Sequence, residues 1–432
     1  MGKGEKMGNF KLKGVLITAF LVSCLFSSPA RAQFFPTRFL TLEESLALAM
    51  KNNQNVRSAR EGVEKAQMGI DEARGSFLPS LDLSGGYTRN GGTRTVTTTA
   101  DEVLQAKLGL TQPIYTGGKN SEAYQRSLLD LKVAQEELRR VEQDVAFQVK
   151  EAFYNVLLAQ EKVTVSEIAV AAAEEHLRMA RARFAAGTVA KFDVLQAEVE
   201  LANTKPALIR ARNSLTLAKE NLKKVLVIDL RTPIEVVGEL TYARIEVDME
   251  EKKAQAQEKR PEMRQALFRQ EIGEREIRVA QAAYYPSFNF SANYQEQSQD
   301  YGPYRESWNI GVVLSWNLFD GLITTSKVEQ ARIELRRVGL TREELQERIK
   351  LEVEEAILNL REAEERISTQ VKNVELAEES LRLAQVRYEN GVGTSTEVLD
   401  ARHALIQAKT FLFESLYDYS LAQARLEKAV GG

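Results

Sequence analysis

The chain is poor in the residues that chemistry at an active site needs. It has one cysteine, Cys24, so no internal disulfide can form. It has two histidines, His176 and His403, each alone on a stretch of helical pattern. Such isolated helical histidines read as polar surface, and neither metal coordination nor a nucleophile–base pair is indicated. No phosphate loop, nucleophile elbow or Cys/His cluster is present, so neither an enzyme nor a cofactor is expected. Nine prolines in 432 residues and 7% aromatics leave few helix breaks and few large core anchors. The formal charge of −3 argues against a nucleic-acid partner. The remainder is 44% hydrophobic and 28% charged, with Ala, Glu, Leu, Gln and Arg prominent, a composition of long helices with material for a core.

The first 32 residues differ from the rest. Lys11 and Lys13 precede the apolar run of residues 15–22, and Ala30-Arg31-Ala32 follows. A basic end, a short apolar stretch and an A-x-A site read as a secretory signal peptide. The run is too short to span a membrane as a helix. Met7 offers an alternative start with a more ordinary leader. Cleavage after Ala32 is the reading adopted, which leaves the mature chain without cysteine. The alternative is Leu21-Val22-Ser23-Cys24 as a lipobox with a lipidated cysteine. Losing five basic residues and one acid with the leader leaves 53 basic against 60 acidic, a net charge near −7.

The mature chain reads as one unit written twice. Leu78-Pro79-Ser80-Leu81-Asp82-Leu83-Ser84 aligns with Tyr285-Pro286-Ser287-Phe288-Asn289-Phe290-Ser291, at an offset of 207. Further on the offset is 204: Pro113-Ile114-Tyr115-Thr116-Gly117 meets Asn317-Leu318-Phe319-Asp320-Gly321, and Arg183-Phe184-Ala185-Ala186-Gly187 meets Arg387-Tyr388-Glu389-Asn390-Gly391. The division is therefore a signal peptide (1–32), a first repeat (33–228), a linker or equatorial segment (229–247, with room for a short strand) and a second repeat (248–432). Each repeat predicts a helix (42–77, 248–284), two short strands, a helix of nearly 70 residues (118–186, 322–390) and a returning helix (189–226, 394–429). At 1.5 Å per residue the longest would extend roughly 100 Å, which no single globular core requires.

The strands alternate with period two. Trp308, Ile310, Val312, Leu314 and Trp316 fall on one face, and Ser307, Asn309, Gly311, Val313, Ser315 and Asn317 on the other. Leu104, Ala106, Leu108 and Leu110 alternate likewise, as do Leu81, Leu83, Gly85 and Tyr87, and Phe288, Phe290, Ala292 and Tyr294. One apolar face fits lipid outside and water inside, with Trp308 and Trp316 as an aromatic girdle roughly 26 Å apart. Four strands cannot close alone in lipid, so an oligomer is required, with two or three subunits supplying eight or twelve strands.

Gln112-Pro113-Ile114-Tyr115-Thr116-Gly117-Gly118, Trp316-Asn317-Leu318-Phe319-Asp320-Gly321 and Arg387-Tyr388-x-x-Gly391 leading to Glu397-Val398-Leu399-Asp400-Ala401 together resemble the TolC-type outer membrane efflux protein family. The resemblance covers essentially the whole mature chain. It implies a mainly α homotrimer with a small β part: a tunnel of long helical hairpins (an α-barrel) in the periplasm, continuous with a shared 12-stranded transmembrane β-barrel in the outer membrane, four strands per chain. Such ducts serve tripartite efflux pumps and type I secretion. They dock a periplasmic adaptor (membrane fusion) protein and, through it, an inner-membrane pump of RND, ABC or MFS type. The alternative from the residues alone is a periplasmic or surface coiled-coil scaffold without a pore.

The resemblance places the two helix–helix turns at the periplasmic tip. Gly187 and Gly391 suit left-handed helix caps, with Arg183 and Arg387 near the negative helix ends. Gly187-Thr188-Val189 and Gly391-Val392-Gly393 are the candidate adaptor-docking residues. Glu397 and Asp400, three apart and on one helix face, would form rings of carboxylates at the closed entrance of a trimer. The family gate joins a tyrosine, an aspartate and an arginine. Tyr388 and Asp193 match the first two positions, while Gly393 stands at the arginine position. Lys191 and Arg402 are the nearby candidates to replace it.

Overall fold

The computed structural model describes residues 37–91 and 102–432. The expected signal peptide, with Cys24 and Ala32, lies outside the described residues. From Leu42 the chain forms α1 (Leu42–Asn52), α2 (Gln54–Gly75), strands β2 (Ser80–Arg89) and β3 (Glu102–Thr116), then α3 (Lys119–Ala185) and α4 (Lys191–Leu226). The second half runs α5 (Met249–Lys259), α6 (Pro261–Gln281), β5 (Ser287–Gln299), β6 (Arg305–Ser315), α7 (Ile323–Glu389) and α8 (Ser395–Val430). Two three-residue strands, β1 (Arg38–Leu40) and β4 (Ile234–Val236), pair in parallel. Segment 229–247 thus holds a short strand, and its partner β1, near the start of the described residues, was not foreseen. Both long helices have 67 residues and both returning helices 36.

The two shorter helices predicted as unbroken each break once. Thr41 starts α1 with a capping box: its hydroxyl accepts from Glu44 N, and the Glu44 carboxylate accepts from Thr41 N at 3.0 Å. Asn53 then ends α1 and opens α2, with φ −61° and ψ 131°. Its side chain accepts from Asn55 N at 2.9 Å and donates to Val225 O at 3.2 Å. Arg260, 207 residues later, plays the same double part with φ −63° and ψ 129°. Pro261 follows at the first helical position, where its missing N–H leaves no bond unmade. Arg260 is buried and held by Glu262 and Glu352.

The main cores lie midway along the long helices. Val145, Val149, Phe153 and Val156 of α3 pack with Leu222 and Leu226 of α4, and also with Leu40 and Val56. Ile349, Val353, Ile357 and Leu360 of α7 pack with Tyr419 and Leu426 of α8. Toward the turns the clusters shrink to Leu177, Ala180 and Ala197, and to Ala384, Val398 and Ala401. Small side chains there allow neighbouring helix axes to approach closely.

The four longer strands form one antiparallel sheet in the order β2-β3-β5-β6. The β3–β5 pairing joins the two halves, with a register shift between Pro113 and Tyr115, where proline lacks an amide donor. Register aligns the apolar positions into rows: Leu83, Leu108, Tyr294 and Trp308, then Leu81, Leu110, Ala292 and Ile310. The alternate face carries Asp82, Gly109, Asn293 and Asn309, then Ser84, Lys107, Gln295 and Ser307. The apolar stripe ends one row beyond Trp308, where Glu296 faces Glu306. Trp308 is exposed at 74% and Ile310 at 63%, so nothing among the described residues covers that face there. Trp316 falls one residue beyond β6, and its indole Nε1 donates to Tyr284 O at 3.1 Å. Among the described residues β2 and β6 are unpaired along their outer edges, and no helix is long and apolar enough to cross a membrane.

Candidate gate at the helix tips

At the far end from the sheet, both hairpins turn in the same way. Gly187 has φ 74° and Gly391 φ 73°, a region that side chains disfavour. Thr188 N bonds to Arg183 O at 3.0 Å, and Val392 N to Arg387 O at 3.0 Å, each recovering a carbonyl left over at a helix end. Val392 is 70% exposed, so this turn presents an apolar side chain to solvent.

Gly393 differs in kind. Its N also bonds to Arg387 O at 3.0 Å, drawing the loop onto the end of α7. A Cβ at this position would lie 2.9 Å from Arg387 Cβ and 3.1 Å from Tyr388 N. No side chain fits without moving backbone, so the arginine of the family pattern is excluded here on steric grounds.

Asp193 and Tyr388 are not hydrogen-bonded to each other. The Asp193 carboxylate accepts from Ala190 N at 3.1 Å and so caps its own helix. The Tyr388 ring carries the Arg183 guanidinium at 4.7 Å from its centroid and meets the His176 ring edge-on at 6.3 Å. Glu397 pairs with Arg387 at 3.4 Å, an exposed ion pair of small energetic value, while Asp400 is exposed. Lys191 is exposed at the start of α4 and has no ion-pair partner among the described residues.

A buried connection between the hairpins includes Arg402, one of the two residues named from the sequence as a replacement for the latch arginine, while its other members were not anticipated. His176, expected at the polar surface, is 1% exposed, whereas His403 is exposed. Its Nδ1 lies 2.9 Å from Glu200 Oε2, and its Nε2 lies 3.4 Å from the Ser395 hydroxyl. The other Glu200 oxygen receives Arg402 Nη1 at 3.1 Å, and Arg402 also donates to Ala172 O at 3.4 Å. Glu200, Ser395 and Arg402 are all buried. Burial alone would raise the Glu200 carboxyl. The His176 hydrogen bond and the Arg402 charge outweigh it and hold the group below the ordinary carboxylate value. Gln196 Nε2 donates to Thr396 Oγ1 at 3.3 Å, adding a further bond between α4 and α8.

Two long hairpins ending in an interlocked tip, together with a sheet whose one face is apolar and exposed among the described residues, fit the plan of a membrane channel built on a long helical body. The model of the outer membrane efflux protein family matches twice, over residues 46–226 and 254–432, and the chain belongs to that family. It is 25% identical over 414 residues to outer membrane protein TolC of Vibrio cholerae, covering 90% of each chain. It is 28% identical over 383 residues to the cobalt-zinc-cadmium resistance protein CzcC of Cupriavidus metallidurans, covering 86% of this chain and 85% of that one. A solved structure of CusC superposes with a TM-score of 0.78 at 18% identity, over 92% and 93% of the two chains, and shares the fold. The protein is an outer-membrane efflux duct, and the family consists of channels rather than enzymes.

Proposed function

We propose that this duct works as a homotrimer in which three four-stranded sheets close one 12-stranded barrel. The observation that carries the reading is the sheet itself, with one apolar face and two edges unpaired among the described residues. Unpaired edges cannot stand in hydrocarbon, so β2 of one copy pairs with β6 of the next. The alternate, polar face then lines the lumen. Below it the hairpins of three chains assemble into a tunnel that narrows at the tips.

The equal helix lengths, the twofold family match and the shared break geometry at Asn53 and Arg260 support two structural repeats, 33–228 and 248–432, joined by 229–247. The duct is passive. Gly187-Thr188-Val189 and Gly391-Val392-Gly393 form the surface gripped by a periplasmic adaptor linked to an inner-membrane pump. Glu397 and Asp400 ring the entrance. The gate is held by the His176–Glu200–Arg402 interlock and the Arg183–Tyr388 contact in place of a direct Asp193–Tyr388–arginine latch.

Heat-resistant trimers in outer-membrane fractions, with discrete conductance steps after reconstitution, are the expected result. A protein that fractionates as a soluble rod and gives no conductance overturns the reading.

A further inference from the structure

His176 sits where the tips of all four long helices meet. It belongs to α3 and touches Glu200 of α4, Tyr388 of α7 and Ser395 of α8. The charged groups around it are Glu200 and, on that carboxylate, Arg402 of α8. Arg183 of its own helix lies on the far partner of the cluster, the Tyr388 ring. The hydrogen-bond partners suit a neutral ring. An ionised carboxylate only accepts, so Nδ1 carries the proton toward Glu200. Nε2 is then the lone-pair side and accepts the Ser395 hydroxyl, which comes from the other hairpin. In this state Glu200 and Arg402 balance each other, and two of the links between hairpins, Arg402–Glu200 and Ser395–His176, are both made.

A proton on His176 changes both links at once. Nε2 becomes a donor, and the Ser395 hydroxyl can keep the bond only by turning from donor to acceptor. A second cation is also set against the carboxylate already paired with Arg402. The attraction between protonated His176 and Glu200 acts inside the first hairpin, because α3 and α4 both belong to it. The repulsion between protonated His176 and Arg402 acts between the hairpins. Acid therefore strengthens the pair within one hairpin at the expense of the Arg402–Glu200 pair that holds the two together, and it forces the Ser395 hydroxyl to reverse.

Resting on the gated-duct reading above, we propose that His176 is a proton-sensitive release for the tip, and that protonation at mildly acidic pH frees the α7/α8 hairpin from the α3/α4 hairpin and favours the open channel. The neutral ring belongs to the closed state and the charged ring to the open one.

The test is the conductance of the full-length protein in planar bilayers at pH 7.5 and 5.5. Wild type is expected to open about tenfold more often at the lower pH. His176→Asn, which keeps a donor toward Glu200 but does not titrate, is expected to lose that response. His403→Asn, altering the exposed histidine, should retain it. Ser395→Ala leaves the buried charges intact and removes the Nε2 partner. It should raise opening at pH 7.5 and reduce the further gain in acid, and it carries the test should His176→Asn not assemble. An unchanged acid response in His176→Asn, or in Ser395→Ala where that variant carries the test, overturns the proposal while leaving the duct intact, as does a wild-type channel insensitive to this pH step. Absence of conductance in every form overturns the duct reading and this proposal with it.

Discussion

Arg402 of α8 and Glu200 of α4 form a buried ion pair, Nη1 to Oε1 at 3.1 Å, across two hairpins that meet only when the chain is folded. The pair is one side of a shared carboxylate whose other oxygen faces His176. Removing one member of a buried pair leaves an uncompensated charge, and the penalty exceeds what the pair itself contributes. Arg402→Leu should therefore destabilise the protein by about 3 kcal/mol or more. The expected signature is a lower melting temperature together with more frequent opening in bilayers at neutral pH. A variant that melts lower but stays as closed as wild type would detach this pair from the gate.

Restoring the family's arginine should fail. Gly393→Arg forces a Cβ to within 2.9 Å of Arg387 Cβ. Overpacking of this kind typically costs about 1–3 kcal/mol. Even Gly393→Ala should show much of that loss by thermal unfolding, and neither variant should reduce spontaneous opening. Tighter closure in Gly393→Arg would mean that the turn accommodates the side chain and rebuilds the latch.

The sheet faces should respond oppositely to charge. Ile310 sits in a row of apolar residues on the exposed face, and its neighbour Asn309 belongs to the polar face. Ile310→Lys should destabilise membrane assembly by about 2–4 kcal/mol, whereas Asn309→Lys should assemble normally. The yield of heat-resistant trimers in membrane fractions measures both. Equal tolerance would place lipid elsewhere.

The Glu200 carboxyl is held below its ordinary value of 4.5 in the folded protein. A group depressed in this way adds stability above its unfolded value and loses it as pH falls through the folded one. The contribution should thus be complete at neutral pH and fade below about pH 4.5. Melting temperatures of wild type and Glu200→Gln, followed from pH 7 to pH 3, should converge at the acidic end. Parallel curves would show that Glu200 does not titrate in that window.

Glu397 and Asp400, proposed to ring the entrance, are both exposed near the start of α8. Their joint replacement by Gln and Asn should weaken block of the pore by divalent cations, since rings of carboxylates retain cations. Block unchanged from wild type would remove both from the entrance.

Much of this architecture is written locally. Long runs of helix-forming residues between Gly118 and Gly187, and between Leu322 and Gly391, predict the 67-residue helices to within a residue or two. Period-two alternation from Trp308 to Leu314 names the residues of the apolar face before any pairing is known, because successive side chains of a strand must point to opposite faces. The glycine turns are legible for the same reason, since a left-handed residue is a property of one position.

The gate was not legible, and the reason is distance along the chain. Arg402 and Glu200 are 202 residues apart, and Ser395 and His176 are 219 apart. Nothing in the spacing around His176 distinguishes a buried ring from a solvated one. Its surroundings are set by how closely two alanine-lined hairpins pack at the tip. The steric veto on a side chain at Gly393 likewise arises from a loop folding back onto the end of α7. Backbone preference and hydrophobic periodicity act over a few residues, so the sequence by itself determined the helices, the strands and their apolar face. Burial and charge pairing act across space, so only the tertiary structure decided which residues join the two hairpins at the tip.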